Sequence, residues 1–318
     1  MITIFAPAGI GEVSVGTDLA ELVTDAVATA AEGPLRDGDI VVVTSKIISK
    51  AEGRIRSAAE RQQAIDAETA RTVAARDQTQ IVRTHTGLTI AAAGVDRSNV
   101  AAGSILLLPH DPDGSARTLR DGLVARCNVR LGVIISDTAG RAWRIGQTDQ
   151  AIGAAGVRLV QDYAGARDPY GNPLAVTAMA VGDELAAAAD LAKGKLSRQP
   201  VAVVRGLDSL VVDDDLDAAS LLRPPASDLF GHGSREAVLV AALEATGQAE
   251  RYEELVRREP TELIRTLLDG SELTGPAAQL LRQMLEIAYR VRLATSEHSA
   301  TAGAGNRPEE EPPWPTPS

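Results

Sequence analysis

Asp37-Gly38-Asp39-Ile40-Val41-Val42-Val43-Thr44-Ser45-Lys46 is the stretch on which the fold turns. Four consecutive β-branched residues behind a turn are stiff, poor helix formers, and read as a strand buried on both faces. The run ends in small hydroxyl and basic residues, and Ser49-Lys50 lie close behind it. Further strands are expected at Ile2 to Phe5, Gln80 to Arg83, Gly87 to Ala92, Ser104 to Leu108, Leu131 to Ile135, Leu174 to Val181 and Pro200 to Val204. Helical spacing of Leu19, Leu22, Val23 and Val27 predicts a helix over Asp18 to Ala31. Others are predicted at residues 57 to 77, Ala116 to Asn128, Gly146 to Ala155 and Asp183 to Leu191. Strands and helices mix without strict alternation, which predicts an α+β domain with a mixed sheet over a doubly wound one.

After Arg223-Pro224-Pro225 the pattern changes. Apolar residues at helical spacing, punctuated by Pro260, Gly270 and Gly275-Pro276, predict three or four helices in a small all-helical region over residues 233–294. Glu309-Glu310-Glu311 and several prolines predict a disordered tail over 295–318.

The 318 residues allow about two domains. With 44% apolar and 24% charged residues, a packed core is available, built mostly of aliphatic side chains because aromatics make up only 3%. One cysteine, Cys127, excludes an internal disulfide framework and a cysteine-based zinc site. The four histidines never fall at metal-ligand spacing. A net charge of −11 argues against a nucleic-acid partner. No apolar stretch reaches the ~18 residues of a membrane span. No Lys or Arg precedes Arg36, so the basic start of a signal peptide is missing. The expectation is a soluble, cytoplasmic protein.

Standard nucleotide motifs fail. Gly194-Lys195 has Ala189 where a phosphate-cradling loop needs its first glycine and Leu196 where it needs a hydroxyl. Gly9 and Gly11 are followed by Ser14 where a dinucleotide fingerprint has its third glycine. No Gly-x-Ser-x-Gly elbow accompanies Ser45-Lys46. What remains is a scatter of acids, hydroxyls and basic residues at expected strand ends. Asp137-Thr138 offers hard oxygen ligands suited to Mg²⁺ or Mn²⁺, and Arg141 and Arg144 nearby suit a phosphate or carboxylate. The same aspartate also reads as the cap of the next turn. Asp96-Arg97-Ser98-Asn99 by itself reads as a plain Asx turn ahead of an oxygen-ligand turn, and Lys46 and Lys50 read equally as phosphate contacts or surface lysines.

Taken together, these segments resemble a family. Gly38 to Lys46 with Ser49-Lys50, Gly94-Val95-Asp96 with Ser98-Asn99, and Ser136-Asp137-Thr138-Ala139-Gly140-Arg141 with Trp143-Arg144 follow one another. Asp162-Tyr163 with Gly165, Asp168 and Gly171-Asn172, then Asp183-Glu184-Leu185, then Val203-Val204-Arg205-Gly206 complete the series. In order and spacing, residues 1–232 are similar to the coenzyme F420-0:L-glutamate ligases, the gamma-glutamyl ligases of deazaflavin biosynthesis. The resemblance implies a mixed α+β fold forming an intertwined homodimer. It implies GTP as co-substrate, Mg²⁺ or Mn²⁺ as cofactor with K⁺ as a further ion, and F420-0 and L-glutamate as the other substrates.

On that resemblance Ile10, Gly11, Glu12, Val13, Ser45, Lys50 and Asn99 contact GTP. Asp96 and Asp137 hold one divalent ion, Thr138 faces a second, and Asp96, Asp137 and Lys50 are the catalytic candidates. The family's later nucleotide loop falls at Lys193, Gly194 and Lys195, where many members carry Met-Gly-Gln and the Gln helps bind the second ion. A charged lysine cannot coordinate a cation; Lys195 can instead offset phosphate charge directly. About ninety residues follow residue 232, too few for the flavin-binding domain fused to some relatives. They read as extra dimer packing or as a partner-binding module. Two rival readings remain, a nucleotide sensor that has lost turnover through Lys195, and a nicotinamide-dependent oxidoreductase resting on Gly9 and Gly11.

Overall fold

The computed structural model describes residues 1–214 and 216–293. The expected disordered tail lies outside the described residues. The chain opens with β1 (Thr3–Phe5) and α1 (Leu19–Ala28), whose first turn is capped by Asp18 accepting from the Glu21 backbone N–H at 2.9 Å. β2 (Ile40–Thr44) runs straight into α2 (Ser45–Ala51), which sequence reading did not anticipate. β3 (Ile55–Ser57) and α3 (Arg61–Glu68) follow, then β4 (Thr69–Arg76), β5 (Thr79–Thr84), β6 (Thr89–Ala91) and β7 (Ser104–Leu106). α4 (Pro112–Cys127) starts with proline at its first position and ends at Asn128 in the left-handed conformation. β8 (Gly132–Arg141) and β9 (Arg144–Ala155) form a long hairpin. Two short strands, β10 (Gln161–Asp162) and β11 (Ala178–Met179), precede α5 (Val181–Lys193) and β12 (Val201–Arg205). Among the described residues four α-helices come last: α6 (Ser234–Ala245), α7 (Tyr252–Leu255), α8 (Pro260–Asp269) and α9 (Gly275–Tyr289).

The central sheet has the order β1-β12-β2-β8-β9; only β2 and β8 are parallel. The α+β class with a mixed sheet is therefore as expected. Alternation along β2 sends Val41 and Val43 to a core with Val23 and Val27 of α1 and Leu119 and Leu123 of α4. It sends Ile40 and Val42 to a second core with Leu185, Ala186 and Ala189 of α5. Every residue of that apolar run is fully buried, each at about 1.5–3 kcal/mol. Asp39 at the strand's start is also buried, paired with Arg205 of β12 through Nε at 2.9 Å and Nη2 at 2.8 Å.

Three expectations fail. Gly146 to Ala155 is not a helix but part of β9, because β8 supplies a strand partner along its whole length. Gly153 is required there: a Cβ would stand 2.4 Å from the Pro112 carbonyl oxygen at the start of α4. Within residues 57–77 only Arg61–Glu68 is α-helical; Thr69–Arg76 pairs with β5, which favours the β-branched Thr69, Thr72 and Val73. Leu174 to Val181 is mostly irregular, with only Ala178–Met179 in a strand.

The C-terminal helices have a separate core around Leu239, Leu255, Leu263, Leu267 and Leu285. They dock on the outer edge of β4. Glu253 accepts from the Thr72 backbone N–H at 2.8 Å, Glu236 from that of Ala75 at 3.1 Å, and the Tyr252 hydroxyl donates to the Thr72 carbonyl at 2.9 Å. Side chains thereby satisfy a strand edge that would otherwise be open to pairing with another chain.

Candidate active site

The site forms where the parallel strands β2 and β8 end, the position at which open mixed sheets present ligand-binding loops. β2 stops at Thr44 and α2 turns Ser45, Lys46 and Lys50 toward the neighbouring elements. β8 runs on past the sheet as a ribbon with β9, carrying Ser136, Asp137 and Thr138. Because side chains alternate, Asp137 lies on one face of the ribbon and Ser136 and Thr138 on the other.

On the first face the Ser45 hydroxyl donates to Asp137 Oδ1 at 2.7 Å, while Oδ2 takes no hydrogen bond from a described residue. Burial pushes the Asp137 carboxyl up to about 6, against the opposing pull of Ser45 and the Lys46 charge. Lys46 Nζ lies 2.5 Å from Asp96 Oδ2 and also donates to the Ser98 hydroxyl. Asp96 further accepts from the Arg97 and Ser98 backbone N–H groups at 2.6 and 3.0 Å. Burial would raise Asp96, but the hydrogen bonds from Lys46 and Ser98 outweigh it and hold the carboxyl at about 2.

On the second face Asp149 of β9, directly opposite Thr138, gathers the groups. Its Oδ1 accepts from Thr138 at 2.7 Å, and its Oδ2 from Ser136 at 2.8 Å and from the buried Lys193 at 2.9 Å. Burial disfavours its charge, yet Lys193 and these donors keep the carboxyl below its usual range. Lys195 Nζ donates to Thr138 Oγ1 at 2.8 Å and lies 3.1 Å from Asp190 and 3.6 Å from Asp149.

The remaining sequence candidates are placed less tightly. Lys50 is buried and ion-paired at 2.5 Å with the exposed Glu12, which ties the Ile10–Val13 loop to α2. Ile10 and Val13 point into the core and Gly11 is exposed. Asn99 occupies a left-handed turn position (φ 58°) and makes no hydrogen bond to a described residue. Lys193 spends its ammonium inside the protein on Ser136 and Asp149, whereas Gly194 and Lys195 are exposed. Sequence reading missed Asp149, Ser136 and Asp190. Asp149 lay within an expected helix; only the hairpin register brings it opposite Thr138.

Hard oxygen donors and the absence of thiolate or imidazole from this set suit Mg²⁺ or Mn²⁺. The uncompensated Oδ2 of the desolvated Asp137 is a fitting donor for such an ion. Among the described residues no group of three or more His, Cys, Asp or Glu side chains forms a cluster that could hold a metal ion.

Lysines and hydroxyls gathered with carboxylates at the ends of parallel strands, on an α+β scaffold, form a candidate enzyme site whose charges suit anionic ligands. The comparisons make this specific: the F420-0:gamma-glutamyl ligase family model matches residues 9–206, and the chain belongs to that ligase family. It is 39% identical over 229 residues to the coenzyme F420:L-glutamate ligase of Archaeoglobus fulgidus, covering 65% of this chain and 88% of that one. The protein of the same name from Methanopyrus kandleri is 38% identical over 237 residues, 68% of this chain and 92% of the other. That of Haloarcula marismortui is 36% identical over 258 residues, 73% and 97%. No helix among the described residues is long and apolar enough to cross a membrane.

Proposed function

We propose that this enzyme ligates L-glutamate to coenzyme F420-0 at the expense of GTP, through an acyl phosphate. A carboxylate does not condense with an amine in water because its leaving group is poor. Transfer of the γ-phosphoryl group forms a new bond from phosphorus to the substrate carboxylate oxygen and releases GDP. The α-amine of glutamate then attacks the acyl carbon: the C–N bond forms, the C–O bond breaks, phosphate leaves with the electron pair, and the amine proton passes to solvent. No enzyme nucleophile is needed; the protein positions three anions and screens them.

The observation that carries this reading is the grouping of Lys46, Lys195, Asp96 and Asp137 around the ribbon formed by β8 and β9. A chain of net charge −11 repels such substrates at long range, so local cations must reverse the field in the site. Lys46, Lys50 and Lys195 take phosphate charge, and the Ser45 hydroxyl fixes the orientation of Asp137. Asp96 and Asp137 would hold Mg²⁺ or Mn²⁺, Thr138 would face a second ion with K⁺ as a further one, and such ions polarise phosphoryl oxygens when bound. The reading includes a homodimer acting in the cytoplasm.

Mass spectrometry of F420-0 incubated with the protein, GTP, Mg²⁺ or Mn²⁺ and glutamate tests it. Products heavier by glutamyl units, with GDP formed in step, are expected. Nucleotide binding without any such product would instead mark a sensor that keeps the ligase fold.

A further inference from the structure

Asp137 is a wall shared by two spaces. Beyond it, away from α2, lies a cavity of about 200 Å³ lined by Arg83 of β5, Thr89 of β6, Gln150 of β9, and Arg223 and Asp228 from the segment after β12. Gln150 sits opposite Asp137 in the hairpin register, so both face this space. The volume is below the about 300–1,000 Å³ of pockets for drug-sized ligands, and suits an amino acid rather than a nucleotide.

Apart from Asp137, the charged side chains of the cavity form no ion pair with a described residue. The side chains of the half-buried Arg83 and the exposed Arg223 make no hydrogen bond or ion pair with any described residue. Gly87 sits at φ 90°, where a Cβ would stand 3.0 Å from Leu222 Cδ1 on the cavity's apolar side. Asp228 is fixed through Oδ1, which accepts from the Phe230 backbone N–H at 2.9 Å, and forms no ion pair with a described residue. The lining carries two guanidiniums, Arg83 and Arg223, and two carboxylates, Asp137 and Asp228. With Asp137 committed to a divalent ion, as in the ligase reading, the two guanidiniums and Asp228 match the two carboxylates and one ammonium of an α-amino dicarboxylic acid. Guanidinium forks match carboxylates in shape as well as charge.

We propose that this cavity is the site of the incoming amino acid, with Arg83 and Arg223 gripping the two carboxylates of L-glutamate and Asp228 its ammonium. The inference rests on the ligase reading above and adds the place and the selectivity of the acceptor. A bound amino acid would then have only the Asp137 wall between it and the lysine-rich face where the carboxylate is activated. Arg83 lies within the part of the chain that the family model matches, whereas Arg223 and Asp228 lie beyond residue 206.

L-glutamate and glutarate are titrated by saturation-transfer NMR into the full chain and its Arg223→Gln and Asp228→Asn variants, and initial rates are measured on the same proteins. The wild type should bind glutamate, and Arg223→Gln should weaken it about ten- to hundredfold, the scale of a lost charge-assisted hydrogen bond. Asp228→Asn should erase the preference for glutamate over glutarate, which lacks the ammonium. KM for glutamate should rise while those for GTP and F420-0 stay put. Arg223 is exposed and unpaired, so its variant tests binding without a folding defect. No glutamate binding to the wild type, variants that bind like it, or a rise confined to the KM for F420-0 would each overturn the assignment. Glutamate binding that is lost in the variants, in a protein with no GTP-driven ligation, would instead remove the ligase reading and leave the cavity as an amino-acid site.

Discussion

Lys195 falls where the family resemblance leads one to expect the Gln of a Met-Gly-Gln loop. Its ammonium lies 2.8 Å from the hydroxyl of Thr138, the residue expected at the second divalent ion. If the lysine stands in for that ion, Lys195→Gln should weaken GTP binding about ten- to hundredfold at low metal, corresponding to about 1–3 kcal/mol. Affinity should recover as Mg²⁺ or Mn²⁺ rises; superimposable titration curves would place Lys195 outside the phosphate site. Asp96 and Asp137, paired in sequence reading as two similar carboxylates, differ in the fold. Asp137→Asn and Asp96→Asn should each abolish most turnover, and near wild-type rates would end the claim for that residue. Their stabilities without metal should diverge. Asp137 is raised to about 6, so its charge costs stability above that pH; the cost fades as pH falls toward 4. Asp137→Asn should therefore raise stability by about 1–3 kcal/mol at pH 7 in chelator, and the gain should vanish near pH 4. Asp96 is held at about 2, so its contribution is present above pH 4 and lost as pH falls through 2. Asp96→Asn should lower the melting temperature at pH 7, modestly because the side chain is 42% exposed.

Among the elements, β12 and β2 are locked by more than their ladder. Asp39 is fully buried and takes both arms of Arg205, whose Nη1 and Nη2 also donate to the Glu32 and Pro34 carbonyls at 2.8 and 2.9 Å. Removing the cation leaves a buried charge without a counterpart. Arg205→Leu should cost about 3–5 kcal/mol, read from urea unfolding. A loss under about 1 kcal/mol would mean that water reaches Asp39 in the variant. The helical edge on β4 is weaker and more local. Tyr252→Phe should cost about 1–2 kcal/mol, because it leaves the Thr72 carbonyl without its donor.

For the whole molecule, every expected site residue and every charged cavity residue precede Gly233. A chain ending at Gly233 should keep ligation if it stays folded and, as proposed for the full chain, dimeric. It also loses Glu236, Tyr252 and Glu253 from the β4 edge, so the shortened protein should self-associate as concentration rises, measured by sedimentation velocity. A soluble, dimeric and inactive truncation would show that the helices serve the site itself.

Much of this protein was legible in its amino-acid order where the signal is local. The run Ile40 to Val43 specified a strand buried on both faces, Asp18 a helix start, and the prolines and glycines after Arg223 a set of helices. The ordered motifs carried the family; Lys46 lies against Asp96, and Lys195 against Thr138 on the other face of the ribbon. Tertiary structure alone decided what depends on distant partners. The Ala- and Gly-rich stretch Gly146 to Ala155 carries no strong strand propensity of its own and is a strand because β8 lies beside it. That pairing brings Asp149 opposite Thr138 and Gln150 opposite Asp137, a one-residue register that periodicity cannot supply. The cavity draws Arg83, Asp137, Gln150, Arg223 and Asp228 from separate segments of the chain, and unpaired charge becomes visible only when the neighbours that could have paired it are in place.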